Sequence, residues 1–154
     1  MTTNNISLVL YNIRSRFNVG AILRTADAAG VKKVYLCGIT PFPPHPKINK
    51  VSLGAEKTVA WKYSKQTVPL IKKLKKDGLI IVALEQTPAS RPYYQFKNNK
   101  PLALILGNEV KGLPKKILNL TDEIVEIPMH GHKESLNVAV AAGIVLFDLI
   151  KKVR

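Results

Sequence analysis

The sequence predicts an α/β domain built on a mostly parallel β-sheet flanked by helices. Three observations point there. Short continuous apolar runs such as Ile6 to Tyr11 and Leu102 to Leu106 read as strands buried on both faces. These runs alternate with helical patterns, the order that gives parallel strands joined by crossover helices. The 154 residues are 46% apolar, enough for one domain with a full core and far too apolar for a disordered chain.

Ile6 to Tyr11 is the first strand. Val19 to Ala29, rich in Ala and Leu, is a helix stopped by Gly30. Lys33 to Cys37 is the second strand, bounded by Gly38. Cys37 is the sole cysteine, so it forms no internal disulfide or multi-cysteine zinc site and reads as a small core residue. Thr40 to Pro46 is a proline-rich loop. Thr67 to Lys76 is a helix ended by Asp77-Gly78, and Leu79 to Leu84 a third strand. Pro88 to Lys100 is polar, with two Pro and two Tyr, and reads as a surface loop. Leu102 to Leu106 and the shorter Glu123 to Ile127 are further strands, and Leu136 to Lys152 is the long closing helix. With no internal repeat and no dividing linker, residues 1–154 are expected to form a single domain.

Charge narrows the partners. Lys and Arg number 24 against 10 Asp and Glu, a net of +14. Residues 1–100 hold 17 basic and 4 acidic side chains, whereas residues 101–154 hold 7 and 6. Such an excess suits a polyanion, either nucleic acid or an anionic membrane. A membrane-surface role needs a long basic amphipathic helix, and the nearest segment, Val68 to Lys76, is short. No run reaches the roughly 18 apolar residues of a membrane span. Met1 to Asn5 carries no charged region leading into an apolar stretch, so no secretory signal is read and a cytoplasmic protein is expected.

Several chemistries are disfavoured. Gly54-Ala55-Glu56-Lys57-Thr58 lacks the first glycine of a P-loop, no Gly-x-Gly-x-x-Gly follows the first strand, and no Gly-x-Ser-x-Gly elbow exists. His130 and His132 flank Gly131 without a third ligand at metal spacing, so no metal is expected.

Three segments carry chemistry. Asn12 to Ala26 joins the first strand to the first helix and holds Arg14, Arg16, Asn18 and Arg24; read alone, it is also an ordinary helix capped by Asn18. Leu106-Gly107-Asn108-Glu109-Val110-Lys111-Gly112-Leu113 follows an apolar strand, as an ordinary strand-to-helix turn would. Ile127 to Ala139 leads into the last helix, which Ser135 would cap in the simplest reading. In open α/β sheets, ligands bind beyond the carboxyl ends of strands, where all three segments fall.

Taken together, in order, these segments resemble the three motifs of the SpoU (TrmH-like) RNA 2′-O-ribose methyltransferases of the SPOUT superfamily. The resemblance covers roughly residues 6–150. Ser52 to Glu56 and Leu84-Glu85-Gln86-Thr87 add secondary matches. The resemblance implies an α/β fold with a C-terminal trefoil knot, a rare exception to the rule against threading. It also implies S-adenosylmethionine as cofactor. Carried over residue by residue, the cofactor contacts are Leu84, Glu85, Gly107, Asn108, Ile127, Met129, Ser135 and Leu136. The catalytic group is Arg24, Asn18, Glu109, Ser135 and Asn137. Arg24 activates or orients the ribose hydroxyl, Asn18 positions Arg24 or the ribose, and Glu109 orients the site across a homodimer. The apolar helix from Val138 to Ile150 offers a surface for that dimer, and the same pattern suits plain core. RNA is the implied partner, with tRNA favoured over rRNA by the small build; an inactive RNA-binding relative is the alternative.

Overall fold

The computed structural model describes residues 5–152. The residues read above for a signal, 1–4, and the final two of the chain lie outside the described residues. In chain order the elements are β1 (Ile6–Tyr11), α1 (Arg16–Ala29), β2 (Lys33–Cys37), α2 (Pro46–Ser52), α3 (Ala55–Thr58), β3 (Trp61–Ser64), α4 (Thr67–Lys76), β4 (Ile80–Leu84), β5 (Arg91–Pro92), a 3-10 turn (Tyr93–Gln95), β6 (Leu102–Leu106), α5 (Lys115–Leu118), β7 (Glu123–Glu126) and α6 (Val138–Lys152).

Every strand pairing is parallel, in the order β3-β2-β1-β6-β4-β7-β5. The pleat divides each interior strand between two layers of core. Ile6, Leu8 and Leu10 of β1 and Leu102, Leu104 and Leu106 of β6 pack with α1, α2 and α6. Val9, Ala103 and Ile105 point the other way, against Ile71 and Leu74 of α4 and Ile117 of α5. All of the named strand residues are fully buried. The predicted mostly parallel sheet flanked by helices is therefore the fold observed.

The strand order builds the site. The chain moves outward from β1 to β2 and β3, crosses to the far side for β4 and β5, then returns twice. β6 enters between β1 and β4, and β7 between β4 and β5. Reversal of direction at the β1–β6 boundary opens a crevice beyond the carboxyl ends of the strands.

Several boundaries differ from the sequence reading. Helix α1 starts at Arg16, and its N-cap is Ser15 rather than Asn18. Ser15 is extended, and its hydroxyl accepts from the Asn18 N–H at 3.1 Å, which takes up an otherwise orphan donor of the first turn. Arg16 is thus the first helical residue, not part of the loop. The last helix starts at Val138, and Asn137 rather than Ser135 caps it: Asn137 Oδ1 accepts from the N–H groups of Ala139 (2.8 Å) and Val140 (3.2 Å). The stretch Pro88 to Lys100 is more than a loop. Arg91 and Pro92 add a strand beside β7, Phe96 is buried, and the Arg91 guanidinium meets Glu123 at 2.7 Å. Two residues are too few to display a period, which is why the sequence hid this strand. Cys37 is buried as expected, and burial pushes its thiol up to about 11.

Candidate active site

The segments that follow β1, β4, β6 and β7 are held together by side-chain hydrogen bonds whose polarity starts at one carboxylate. Glu109, in the loop after β6, accepts from the backbone N–H of Arg14 and of Ser15, both at 2.9 Å, and from Asn18 Nδ2 at 3.1 Å. A carboxylate only accepts, so it fixes the amide of Asn18 with its NH₂ toward Glu109. Asn18 Oδ1 then faces Asn137 and accepts from its Nδ2 at 3.0 Å. The Asn137 carbonyl is left to cap α6, as described above. One acid thereby orients two amides and the start of a helix.

Asn18 can take this part because the early start of α1 sets it in the first turn of the helix, where it is 5% exposed. Desolvation opposes ionisation of Glu109, but the N–H donors of Arg14 and Ser15 and the Asn18 amide outweigh it and hold the carboxyl below its usual range. These bonds lie within one chain. They tie the loop after β6 to the start of α1.

A second acid braces the same loop. Glu85, just beyond β4, accepts from Gln86 N–H at 3.0 Å and Leu113 N–H at 2.8 Å. Gly112 lies against it with φ +64, and a Cβ there would stand 2.2 Å from Glu85 Oε2. Asn108 closes the turn between them, accepting from the N–H groups of Val110 and Lys111 at 2.9 Å each. Gln86 Nε2 reaches the Glu134 carbonyl at 2.8 Å, which ties the β4 end to the segment before α6.

These ties enclose a cavity of about 330 Å³. Its lining includes every expected cofactor residue: Leu84, Glu85, Gly107, Asn108, Ile127, Met129, Ser135 and Leu136. Asn18, Glu109 and Asn137 line it too. Sequence reasoning missed further lining residues, among them Gly112, Glu126, Val138 and Ala141, because their places depend on how the loops fold back. Arg24 is the one expected site residue that the structure does not bring to the cavity. It lies exposed on the outer face of α1, six positions beyond Asn18 and thus on another side of the helix.

The chemistry of the lining suits a cationic ligand with an apolar part. Leu84, Leu106, Ile127, Leu136 and Val138 supply apolar surface, and Glu85, Glu109 and Glu126 supply carboxylates. No Lys or Arg lines the cavity, although the chain carries +14. A sulfonium cofactor fits that donor set, and the volume is within the range for such ligands.

Helix α6 carries an exposed apolar stripe. Val140, Ile144 and Phe147 recur at helical spacing along α6, and are 53%, 37% and 48% exposed. Phe17 on α1 is 61% exposed. The two helices pack together, with Thr25 facing Gly143. Among the described residues no helix is long and apolar enough to cross a membrane.

Known proteins share this arrangement. The chain is 32% identical over 144 residues to a tRNA (guanosine(18)-2′-O)-methyltransferase of Thermus thermophilus, covering 94% of this chain and 73% of that one. It superposes on an AdoMet-bound rRNA methyltransferase from Sinorhizobium meliloti with a TM-score of 0.87 at 31% identity, covering 93% of this chain and 54% of the other. A structure solved for insight into the 2-OH methylation of C/U34 on tRNA matches with a TM-score of 0.85 at 26% identity, covering 96% and 95%. The chain spans 52% to 73% of the length of the first curated relatives it matches. The profile of the SpoU rRNA Methylase family matches residues 5–147, which hold the whole sheet and all three motif loops, so the chain belongs to that family.

Proposed function

We propose that the protein transfers a methyl group from S-adenosylmethionine to a ribose 2′-hydroxyl of RNA, with tRNA as the favoured substrate. The cavity carries this reading: it is acid-lined and apolar within a strongly basic chain, and closed by the Glu109–Asn18–Asn137 relay at the carboxyl ends of the strands. The cofactor, when bound, supplies an electrophilic methyl. Leu84, Ile127, Met129 and Leu136 would hold its apolar part, with backbone groups of Gly107 and Asn108 beside it. Glu85 and Glu109 fix the loop that forms the wall, and Ser135 stands at the rim.

The harder task is activation of the hydroxyl, a poor nucleophile at neutral pH. A guanidinium holds its proton strongly and is a demanding base. Arg24 therefore orients the RNA phosphate and stabilises charge that develops on the 2′ oxygen. It lies outside the cavity of its own chain on α1, the helix that packs against α6, whose apolar stripe is exposed. This supports a homodimer built on that face, with Arg24 of one copy serving the pocket of the other. The repeated return of the chain between earlier strands supports the threaded C-terminal knot of the family. This domain would supply both cofactor and RNA contacts, acting in the cytoplasm.

Two relatives tied to tRNA, the tRNA (guanosine(18)-2′-O)-methyltransferase and the neighbour tied to C/U34, support the tRNA reading beside the rRNA methyltransferase. The 31% identity to the latter favours rRNA as the second reading. The intact set of Asn18, Arg24, Glu109, Ser135 and Asn137 opposes an inactive relative. Incubation with methyl-labelled cofactor and separate pools of unmodified tRNA and rRNA tests the choice. Label is expected in the tRNA pool. Label in rRNA alone would shift the substrate, and no label in either, with no cofactor binding by calorimetry, would overturn the function.

A further inference from the structure

A second cavity, of about 480 Å³, lies beyond the carboxyl ends of β1, β2 and β3. Its walls include Tyr11, Asn12, Lys65, Gln66 and Lys116, with no acidic side chain in the lining. Neither lysine forms an ion pair among the described residues. The cavity is thus the electrostatic opposite of the first one, with two unneutralised ammonium groups in place of carboxylates.

The two cavities share a wall. Asn12 lines the second and Asn108 the first, and Asn108 Nδ2 donates to the Asn12 carbonyl at 2.8 Å. Asn12 is one of two non-glycine residues with positive φ (51°) among those described. It is held there by the Ile39 N–H, which its Oδ1 accepts at 3.0 Å. Gly38 makes the close approach feasible, since a Cβ at that position would stand 2.0 Å from Asn12 Oδ1. The Asn12 Nδ2 is left without a hydrogen-bond partner among the described residues, in a cavity whose wall also holds the Tyr11 side chain.

We propose that this second cavity is a nucleotide subsite for RNA, taking a residue that flanks the one methylated. The phosphate rests on Lys65 and Lys116, and the base lies beside Tyr11 and the free amide of Asn12. Ammonium groups bind phosphate as point charges, an aromatic wall accepts any base, and an amide donor can read a base edge. The proposal rests on the RNA-modifying reading above and gives the basic first two-thirds of the chain a defined seat for RNA. It places two nucleotides on either side of the Asn12–Asn108 hydrogen bond, one at the methyl donor and one at the lysines.

The test uses the full chain and unmodified tRNA transcripts, with affinity read by fluorescence anisotropy across a salt series. Loss of the one phosphate held by the two lysines lowers the salt slope on a single strand by about 0.7, which is roughly 5-fold in affinity at 0.1 M salt. The double variant Lys65→Ala/Lys116→Ala is expected to show that loss, with cofactor affinity unchanged by calorimetry. A control, Lys72→Ala/Lys76→Ala, removes the same charge from the exposed side of α4 and is expected to lose far less. Gln66→Trp, which obstructs the cavity and keeps every charge, is expected to weaken binding as well. Equal losses in the two lysine pairs would overturn the subsite, as would wild-type binding by Gln66→Trp or a wild type that binds no RNA. A wild type that binds tRNA but transfers no methyl would instead overturn the proposed reaction, and the binding comparison would still decide the subsite.

Discussion

Replacing Asn18 with Asp tests the polarity of the site most sharply, because the two side chains have nearly the same shape. In the native protein, Asn18 Nδ2 donates to Glu109 Oε2 at 3.1 Å. In Asn18→Asp an oxygen replaces that nitrogen, so a hydrogen bond to a charged group, typically about 1.5–3 kcal/mol, becomes a contact between two carboxylates. Coulomb repulsion at that separation is about 1.3 kcal/mol in water and about 5 kcal/mol at an effective dielectric of 20. Glu109 is exposed at the cavity rim, so solvent screening holds the repulsion toward the lower figure. The total is a loss of about 3–5 kcal/mol at pH 7, a large share of the 5–15 kcal/mol typical of a domain. Urea unfolding followed by circular dichroism measures it. The sign with pH is also fixed. Two carboxylates in contact retain a proton in the folded state to higher pH than in the unfolded chain, so acid favours the folded variant. Its deficit against wild type is expected to shrink as pH falls from 7 toward about 4.5. A variant as stable as wild type at pH 7, or a deficit that does not change with pH, would refute the assigned orientation of the Asn18 amide.

Other outcomes follow from the same geometry. Glu109 has a depressed folded pKa, so the stability it contributes is full above the ordinary glutamate value of about 4.3 and is lost as pH falls through the native value; Glu109→Gln is expected to be less stable than wild type at pH 7 and to converge with it in acid, read by thermal melts. Arg24→Ala removes an exposed side chain that makes no hydrogen bond or ion pair among the described residues, so stability should change by no more than about 0.5 kcal/mol. Methyl transfer should be abolished in that variant while calorimetry shows nearly unchanged cofactor affinity, and a large loss of affinity would assign Arg24 to the cofactor site instead. Gly112→Ala puts a Cβ 2.2 Å from Glu85 Oε2 at a φ of +64, and should weaken cofactor binding more than it perturbs the sheet, measured by calorimetry beside far-ultraviolet circular dichroism.

The legible parts of the fold were those with strong periods. Lys33–Cys37, Thr67–Lys76 and Leu102–Leu106 have the same bounds in sequence and structure, because an apolar run or a helical stripe ends at a glycine or a polar break. Helices α2 and α3 and strand β3 escaped notice. They are short, and they depend on contacts far along the chain, such as Thr58 Oγ1 of α3 donating to Asp27 Oδ1 of α1 at 2.7 Å. The cap assignments failed for a related reason. Ser15 and Asn18 are both good caps, as are Ser135 and Asn137, and only the tertiary partners decide between them. Glu109 and Asn137 draw Asn18 into the helix, which leaves Ser15 to cap.

The residues of the cavity were legible as motifs, but its logic was not. Nothing in the spacing of Asn18, Glu109 and Asn137, separated by 91 and 119 positions in the chain, revealed that one carboxylate orders both amides. The lysine-lined cavity escaped for the same reason, since Lys65 and Lys116 meet only when β1 lies between β2 and β6.

The central claim is that the acid-lined cavity delivers a methyl group to a ribose oxygen. Alkaline digestion of tRNA treated with the enzyme and labelled cofactor tests it directly, because a methylated 2′-oxygen cannot attack the adjoining phosphate and that linkage resists cleavage. All label is expected in one alkali-resistant dinucleotide. Label released with a mononucleotide, and so carried on a base, would contradict the account.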